Sequence, residues 1–199
     1  MLRAIDTTLE LDEAGDYPRV IGRIVPFGVV AHIRELDPAG ELEEYDEEFL
    51  PGCTERMRQV AAKRGGPGWI WFTYDHQRRS LESRLGYCTE LAEADDGVYA
   101  TLRLDNDARL EKVRSMLSTS HRGLSIEFDD HPPHRPVTGP LRRRRSVNIT
   151  TITATPIPVY ESAGILAMRS DGDALAGGTP RLDAARAMLA ELRGEPATT

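Results

Sequence analysis

Two residues of this sequence carry side chains that together could cleave an acyl bond. Ser125 stands in the short alternating segment Gly-Leu-Ser-Ile-Glu-Phe, and His76 follows an aromatic-rich run upstream of it. A serine hydroxyl becomes a nucleophile when a histidine takes its proton, and the same histidine can later protonate the leaving group. The pair predicts a serine hydrolase, provided that the fold brings the two side chains together. No GxSxG or GDSGG-like sequence is present, so α/β-hydrolases and chymotrypsin-like enzymes do not fit.

The segments that hold these two residues read as strands. Residues 69–74 are aromatic and β-branched, which predicts a buried strand that delivers His76 at its end. Residues 124–128 alternate, so that Ser125 and Glu127 share one face of a second strand. Both chemical groups are therefore expected at or on strands, where a sheet could bring them together.

The rest of the chain predicts an α+β fold, with a mostly antiparallel β-barrel-like core and peripheral helices. Further strands are expected in residues 17–33 (two strands), 85–91 and 98–104 (a hairpin), 147–155 and 163–169. Helices are expected from Thr54 to about Arg64, and from a cap at Asp105 or Asn106 to a stop at Gly123. Residues 41–48 read as an acidic loop, and residues 129–145 as an exposed, mobile loop.

The chain divides into a main domain, residues 1–169, and a C-terminal part, residues 170–199. The second part begins with a Gly-, Asp- and Ala-rich linker and continues with a short amphipathic helix. Its apolar stripe consists of Leu182, Ala185, Met188, Leu189 and Leu192.

Bulk properties exclude several functional classes. The 199 residues carry a net charge of −7, which argues against general nucleic-acid binding. No stretch approaches the roughly 20 apolar residues of a membrane span, and the N-terminus lacks the apolar core of a secretory signal. Cys53 and Cys88 lie in no CxxC motif and are expected to be reduced thiols in a cytosolic protein. The histidines His121, His131 and His134 have no acidic or cysteine partners at ligand spacing, so no metal site is expected.

Five short sequence segments, taken in their order along the chain, are informative in addition to the Ser/His pair. They are Gly-Arg-Ile-Val-Pro-Phe at 22–27, Glu-Phe-Leu-Pro-Gly-Cys at 48–53, Asp-His at 75–76 followed by Leu-Gly-Tyr at 85–87, Gly-Leu-Ser-Ile-Glu-Phe at 123–128, and Pro-Val-Tyr-Glu-Ser-Ala at 158–163. In order and spacing, the blocks resemble those of the tailed-phage prohead (procapsid) maturation serine proteases. That family is distantly related in fold to the herpesvirus assemblins, so the resemblance implies an assemblin-like fold.

The resemblance implies roles for individual residues. Ser125 would be the nucleophile and His76 the general base, and no cofactor would be needed. Relatives usually carry an acidic residue on the strand before the closing block, where this chain has Thr151; a one-residue gap would place Asn148 there instead. Glu127 is another candidate because it shares the face of Ser125. The third member of the site stays open between these residues, as does a simple Ser/His dyad.

The function implied is that of a phage prohead serine endopeptidase. It would act inside the procapsid, in the cytoplasm of the bacterial host, on the scaffold protein, the major capsid protein and itself. The resemblance is compatible with a homo-oligomer and implies no nucleic-acid or membrane partner. The missing carboxylate at Thr151 motivates an alternative, a weakly active or inactive relative that serves as a capsid-assembly or scaffolding module. A host-encoded hydrolase unrelated to phage is a third hypothesis.

The arginine run at residues 142–145 is expected to be a solvated part of the exposed loop. It could also bind an acidic partner such as the scaffold, or nucleic acid, or be a site of self-cleavage.

Overall fold

A computed structural model describes residues 2–8, 18–36, 40–74, 80–131, 139–157, 160 and 165–167. These residues form eleven strands and two helices. In chain order they are β1 (Leu2–Thr8), β2 (Arg19–Pro26), β3 (Ala31–Leu36), β4 (Leu42–Phe49), α1 (Glu55–Arg64), β5 (Trp71–Tyr74), β6 (Arg84–Ala94), β7 (Gly97–Leu104), α2 (Leu110–Thr119), β8 (Gly123–Asp130), β9 (Leu141–Arg144), β10 (Val147–Thr155) and β11 (Ile165–Ala167). Within this described part, no helix has the length and apolar character needed to span a membrane.

Seven strands pair in a ring, in the order β1-β2-β7-β6-β5-β10-β8 and back to β1. All neighbours in the ring are antiparallel except β5 and β10, which run parallel. β11 joins the main sheet by pairing in parallel with β1. The prediction of a mostly antiparallel, barrel-like β core with helices is confirmed.

The core lies against the strands that would hold the catalytic serine. Leu124 and Ile126 of β8 and Ile152 of β10 are fully buried in one continuous apolar cluster. The alternate residues of β8 are buried as well, since every residue from Gly123 to Phe128 is covered. Both faces of β8 are therefore shielded from water, which is unusual for a strand with a polar face.

A second sheet of three strands, in the order β3-β4-β9, corrects the two predicted loops. The acidic residues 41–48, expected as a loop, form most of β4, and residues 141–144 of the second expected loop form β9. β4 and β9 are parallel neighbours, and three glutamates of β4 pair with three successive arginines of β9: Glu43 with Arg142, Glu48 with Arg143, and Glu47 with Arg144. Opposite charges on the two strands thus stabilise segments that look too polar for a sheet when read separately.

Arg144 makes the innermost of these pairs and is not solvated, contrary to the prediction for the arginine run. Its side chain is 1% exposed, and its Nε donates to Glu47 Oε2 at 2.7 Å. Its Nη1 donates to Asp130 Oδ2 at 2.6 Å, at the end of β8. The guanidinium also lies over the Phe128 ring, 5.4 Å from its centroid. This network ties the small sheet to the serine-bearing strand.

The helices confirm one prediction closely and the other in part. Helix α1 has the predicted span and ends at Gly65 in the left-handed conformation (φ 74°), although the Thr54 side chain caps no backbone N–H. Helix α2 starts later than expected, because Arg109 occupies the N-cap position. It ends at Thr119, with Ser120 at the C-cap position, and Gly123 is the first residue of β8 and not a helix stop. The predicted linker and C-terminal helix lie outside the described residues, and the domain boundary stays a prediction.

Candidate active site

A row of three buried hydroxyls crosses three neighbouring strands. Ser125 of β8 is the direct partner of Thr153 of β10, and Thr153 is the direct partner of Thr73 of β5. The Oγ1 atoms of Thr73 and Thr153 are hydrogen-bonded at 2.8 Å, with either hydroxyl able to donate. All three residues are at most 1% exposed. Because direct cross-strand partners share a face, Ser125 lies on the same face as this bonded pair.

Ser125 differs from its two neighbours in its hydrogen bonding. Its Oγ is fully buried and has no hydrogen-bond partner among the residues that the structure describes. Leaving a buried hydroxyl unpaired costs about 1–3 kcal/mol. Such groups are rare in native folds, and a catalytic role is one recognised reason for keeping them. The missing partner of Ser125 Oγ agrees with the catalytic role that the sequence predicts; Thr54 Oγ1 is in the same state.

His76 belongs to residues 75–79, which lie outside the described residues, so its pairing with Ser125 stays a prediction. The described strands give the distance between β5, which precedes this segment, and β8. β5 ends at Tyr74, and β10 lies between β5 and β8, so β5 and β8 are about 9.5 Å apart at the usual strand spacing.

The chain just after this segment is held by Arg109. Its Nη1 donates to the carbonyl oxygen of Glu82 at 2.6 Å, and its Nη2 donates to that of Arg84 at 3.0 Å. The hydrogen bond from Arg109 to the Asp107 carboxylate raises the pKa of Arg109 and fixes the guanidinium in place. Both flanks of residues 75–79 are therefore anchored, by β5 on one side and by Arg109 on the other.

The three predicted candidates for a third member lie on the Ser125 face but outside its row. Thr151 is 2% exposed and is the direct partner of Glu127, one step along the strands from Ser125. Glu127 is 9% exposed and shares the serine's face, as the alternation predicts. Asn148 is exposed and lies opposite Asp129, one further step away. The catalytic role of each residue stays a prediction.

Sequence reasoning missed Thr153 and its partner Thr73. The signal that could have found Thr153 is the alternation in β10, which places it on one face with Thr151 and Thr155. The pairing of Thr153 with Ser125 depends on a bulge in β10 between Ile149 and Thr151, and no local sequence pattern predicts that bulge.

Ser120 and His121 form a serine–histidine hydrogen bond on the protein surface. Ser120 Oγ and His121 Nδ1 are 2.8 Å apart just after α2. The two residues are neighbours in the chain, and Ser120 is exposed, so water surrounds the hydroxyl. This pair lacks the shielded setting in which a fixed dipole stabilises developing charge strongly, and it provides a natural control for Ser125.

Asp129 and Asn148, at the far end of the face that carries Ser125, line a cleft of about 650 Å³. The cleft lies between α1 and the far ends of β8 and β10. Its lining includes Met57, Val60, Trp69, Asp129 and Asn148.

The two thiols do not compete with Ser125 as nucleophiles. Burial, together with the nearby Glu93 carboxylate, raises the pKa of Cys53 from 9.0 to about 12. Burial also raises the pKa of Cys88. Thiols are reactive as thiolates, so both are inert near neutral pH. Across the described part of the chain, no three His, Cys, Asp or Glu side chains are grouped in a way that could hold a metal ion.

Comparison with known proteins supports the resemblance seen in the sequence. The family model of the caudovirus prohead serine proteases matches residues 28–176, which are 149 of the 199 residues and include Ser125, His76 and Thr151. Among solved structures, the capsid assembly protease of bacteriophage T4 is similar at a TM-score of 0.47 and 9% identity, covering 79% of this chain and 99% of that chain. No curated protein matches the chain. On the strength of the family match, the chain belongs to the caudovirus prohead serine protease family.

Proposed function

We propose that this chain is a serine endopeptidase of the phage procapsid, with Ser125 as nucleophile and His76 as general base. The observation that carries the proposal is the buried, unpaired Oγ of Ser125, on a strand whose sequence resembles the family's nucleophile strand. The hydroxyl has no described partner that would have to be displaced before a histidine could take its proton.

The reaction follows the acyl-enzyme route. His76 takes the Ser125 proton as Oγ attacks the peptide carbonyl, and the imidazolium then gives that proton to the departing amine. A water molecule, deprotonated by the same imidazole, attacks the ester. The imidazolium then protonates the departing Ser125 Oγ, which releases the second product and restores the free enzyme. Histidine suits both steps because its pKa lies close to neutrality.

The third member of the site is proposed to be Thr151, following the family's pattern. A threonine hydroxyl can orient an imidazole through a hydrogen bond, but without charge it stabilises the imidazolium less than a carboxylate does. Glu127, the cross-strand partner of Thr151, could supply that charge instead. Asn148 and a plain Ser/His dyad are the remaining alternatives.

The proposed substrates are the scaffold protein, the major capsid protein and the chain itself, cleaved inside the procapsid in the host cytoplasm. Enclosure in a shell raises the effective concentration of enzyme and substrate, which compensates for a weak site. The distant relation in fold to the herpesvirus assemblins and the formation of a homo-oligomer stay predictions of the same resemblance.

A specific observation favours a second candidate function, a weakly active or inactive relative that serves in capsid assembly. In the row of direct partners around Ser125, Thr153 and Thr73 are hydroxyl residues. Neither they nor the flanking Ala4 and Arg84 carries a negative charge that would support an imidazolium. Such a chain would bind the capsid or scaffold protein without cutting it.

Co-expression with the major capsid protein of the same phage distinguishes the two functions. We expect the intact mass of the capsid protein to fall with the wild-type chain and with Ser120→Ala, and to stay at full length with Ser125→Ala. Full-length capsid protein in all three samples would favour the assembly module and would contradict the protease.

A further inference from the structure

The cleft beside α1 combines an apolar floor with charged groups on two sides. Its floor consists of four buried or half-buried side chains, those of Met57, Val60, Trp69 and Val147. On the α1 side, Arg56 and Arg64 stand four residues before and four residues after Val60, so the three share one face of the helix. On the strand side, the lining includes Asp129 and Asp130 of β8. Such a groove suits a ligand that is apolar on one face and charged at its margins.

The charges on the two sides of the cleft are only partly paired within the described chain. Arg56 and Asp129 are exposed and form no ion pair with another described residue. Asp130 accepts a hydrogen bond from Arg144, and the Arg64 guanidinium lies 5.5 Å from the centroid of the Trp69 ring. Positive charge is therefore available on the α1 side of the cleft and negative charge on the strand side.

Residues 181–193 of this chain have the complementary pattern. The sequence predicts an amphipathic helix here, and its apolar positions follow the i, i+3, i+7 spacing with which helices dock into apolar grooves. These positions are Leu182, Ala185, Met188, Leu189 and Leu192. At 100° per residue, Arg186 and Arg193 lie along one margin of this apolar stripe, and Glu191 lies towards the other. The basic margin matches the acidic strand side of the cleft, and Glu191 matches the arginines of α1.

The chain between β11 and this segment is long enough to reach the cleft. β11 ends at Ala167, which pairs with Thr8 of β1. Thr8 lies three residues beyond the Ile5–Leu124 pair on one side, and Asp129 lies five residues beyond it on the other, so about 26 Å separates them along the strands. Residues 168–180 can span up to about 43 Å when they are extended.

We propose that this cleft holds residues 181–193 of the same chain, as a helix whose apolar stripe packs on Val60 and Trp69. The basic margin of that helix faces Asp129, and Glu191 faces the arginines of α1. Docking of the segment depends on neither Ser125 nor the proposed protease activity. The C-terminal part is then an intramolecular ligand of the main domain.

Disulfide formation within the full-length chain tests this docking. Val60→Cys is combined either with Leu189→Cys, in the apolar stripe, or with Ala187→Cys, on the opposite side of the predicted helix. Gln59→Cys with Leu189→Cys is the control on α1, because Gln59 is exposed and lies outside the lining of the cleft. All proteins carry Ser125→Ala, which prevents self-cleavage from removing the segment. They are equilibrated in a glutathione redox buffer at low protein concentration, and their disulfides are located by mass spectrometry.

We expect the effective concentration of the two thiols in the Val60→Cys, Leu189→Cys protein to exceed that in both control proteins by about ten-fold. An undocked tail would present both of its faces equally to both positions of α1, so equal values in the three proteins would overturn the docking. Disulfides that join two chains would also overturn it, because they would place the segment on the cleft of a second copy.

Amide hydrogen exchange gives a second measurement, on the Ser125→Ala protein without added cysteines. Residues 181–193 should exchange about ten-fold more slowly than a free peptide of the same sequence. Val60→Lys places a charge on the floor of the cleft and should remove this protection, whereas Gln59→Lys should keep it. Exchange at the rate of the free peptide, or protection that persists in Val60→Lys, would overturn the docking.

Discussion

Ser125 and Thr153 are direct partners across the antiparallel pair β8–β10, yet their hydroxyls are in different bonding states. Thr153 Oγ1 is hydrogen-bonded to Thr73, whereas Ser125 Oγ has no partner among the described residues. Thr73 and Thr153 therefore satisfy each other's hydroxyl, and the Ser125 hydroxyl is left without a described hydrogen-bond partner. This difference separates the residue proposed for chemistry from the residues that support it.

The Thr73–Thr153 hydrogen bond should show strong coupling in a double-mutant cycle. Thr73→Val or Thr153→Val alone leaves one buried hydroxyl unpaired, which we expect to lower the free energy of unfolding by about 1–3 kcal/mol. The double variant removes both hydroxyls and should recover most of that loss. Urea unfolding followed by circular dichroism measures all four proteins. Additive losses in the double variant would show that the two hydroxyls do not depend on each other.

The buried Arg144–Glu47 pair should be far more sensitive to loss of one partner than to loss of both. Arg144→Met leaves the Glu47 carboxylate, which is fully buried, without its principal counter-charge, and we expect a loss of about 3–5 kcal/mol in the free energy of unfolding. Adding Glu47→Leu should return the stability close to that of the wild type. Arg143→Met, at the half-exposed pair with Glu48, should cost at most about 1 kcal/mol and serves as the control.

The buried thiols predict a loss of stability at alkaline pH. Folding raises the pKa of Cys53 from 9.0 to about 12, so the folded state keeps a proton that the unfolded state releases. The stabilising contribution is therefore complete below pH 9 and is lost as the pH rises from about 9 towards 12. Denaturant midpoints of the wild type and of Cys53→Ala, measured from pH 7 to 10.5, should converge in that range. Equal slopes against pH would contradict the prediction.

Thiol labelling gives an independent check of the same burial. At pH 8, a disulfide reagent should modify Cys53 and Cys88 at the rate at which the protein opens, and not at the rate of a free thiol. Immediate modification of either residue in the folded protein would show that its thiol is accessible.

The parts of the fold that could be predicted are those whose signal is local. The glycines after Arg64 define the end of α1, the turn at residues 94–97 defines the β6–β7 hairpin, and the β-branched run defines β10 to the residue. β4 could not be predicted from its own residues, because its carboxylates are balanced by basic residues on both neighbouring strands, β3 and β9. β9 is almost a hundred residues away in the chain, so the local sequence of β4 contains no sign of this pairing.

The candidate site divides in the same way. The resemblance predicts roles for Ser125 and His76 and, by counting back from the closing block, for Thr151, and these roles stay predictions. The neighbour of Ser125 could not be found by counting, because the register of β8 against β10 includes a bulge before Thr151. The parallel pairing of β10 with β5, which brings Thr73 into the row, is likewise a property of the whole sheet.

The role of Ser125 as nucleophile is tested by mapping a covalent adduct on the active chain. The protein is treated with a small fluorophosphonate under conditions in which it cuts the capsid protein, and the modified peptide is identified by mass spectrometry. We expect one adduct, at Ser125, that forms in step with the loss of cleavage, is absent in Ser125→Ala and slows strongly in His76→Ala, while Ser120→Ala behaves as the wild type. We also expect Ser125→Ala to lower cleavage by about 10⁴-fold or more. Full cleavage of the capsid protein by Ser125→Ala, or inactivation by an adduct at another residue, would show that Ser125 is not the nucleophile.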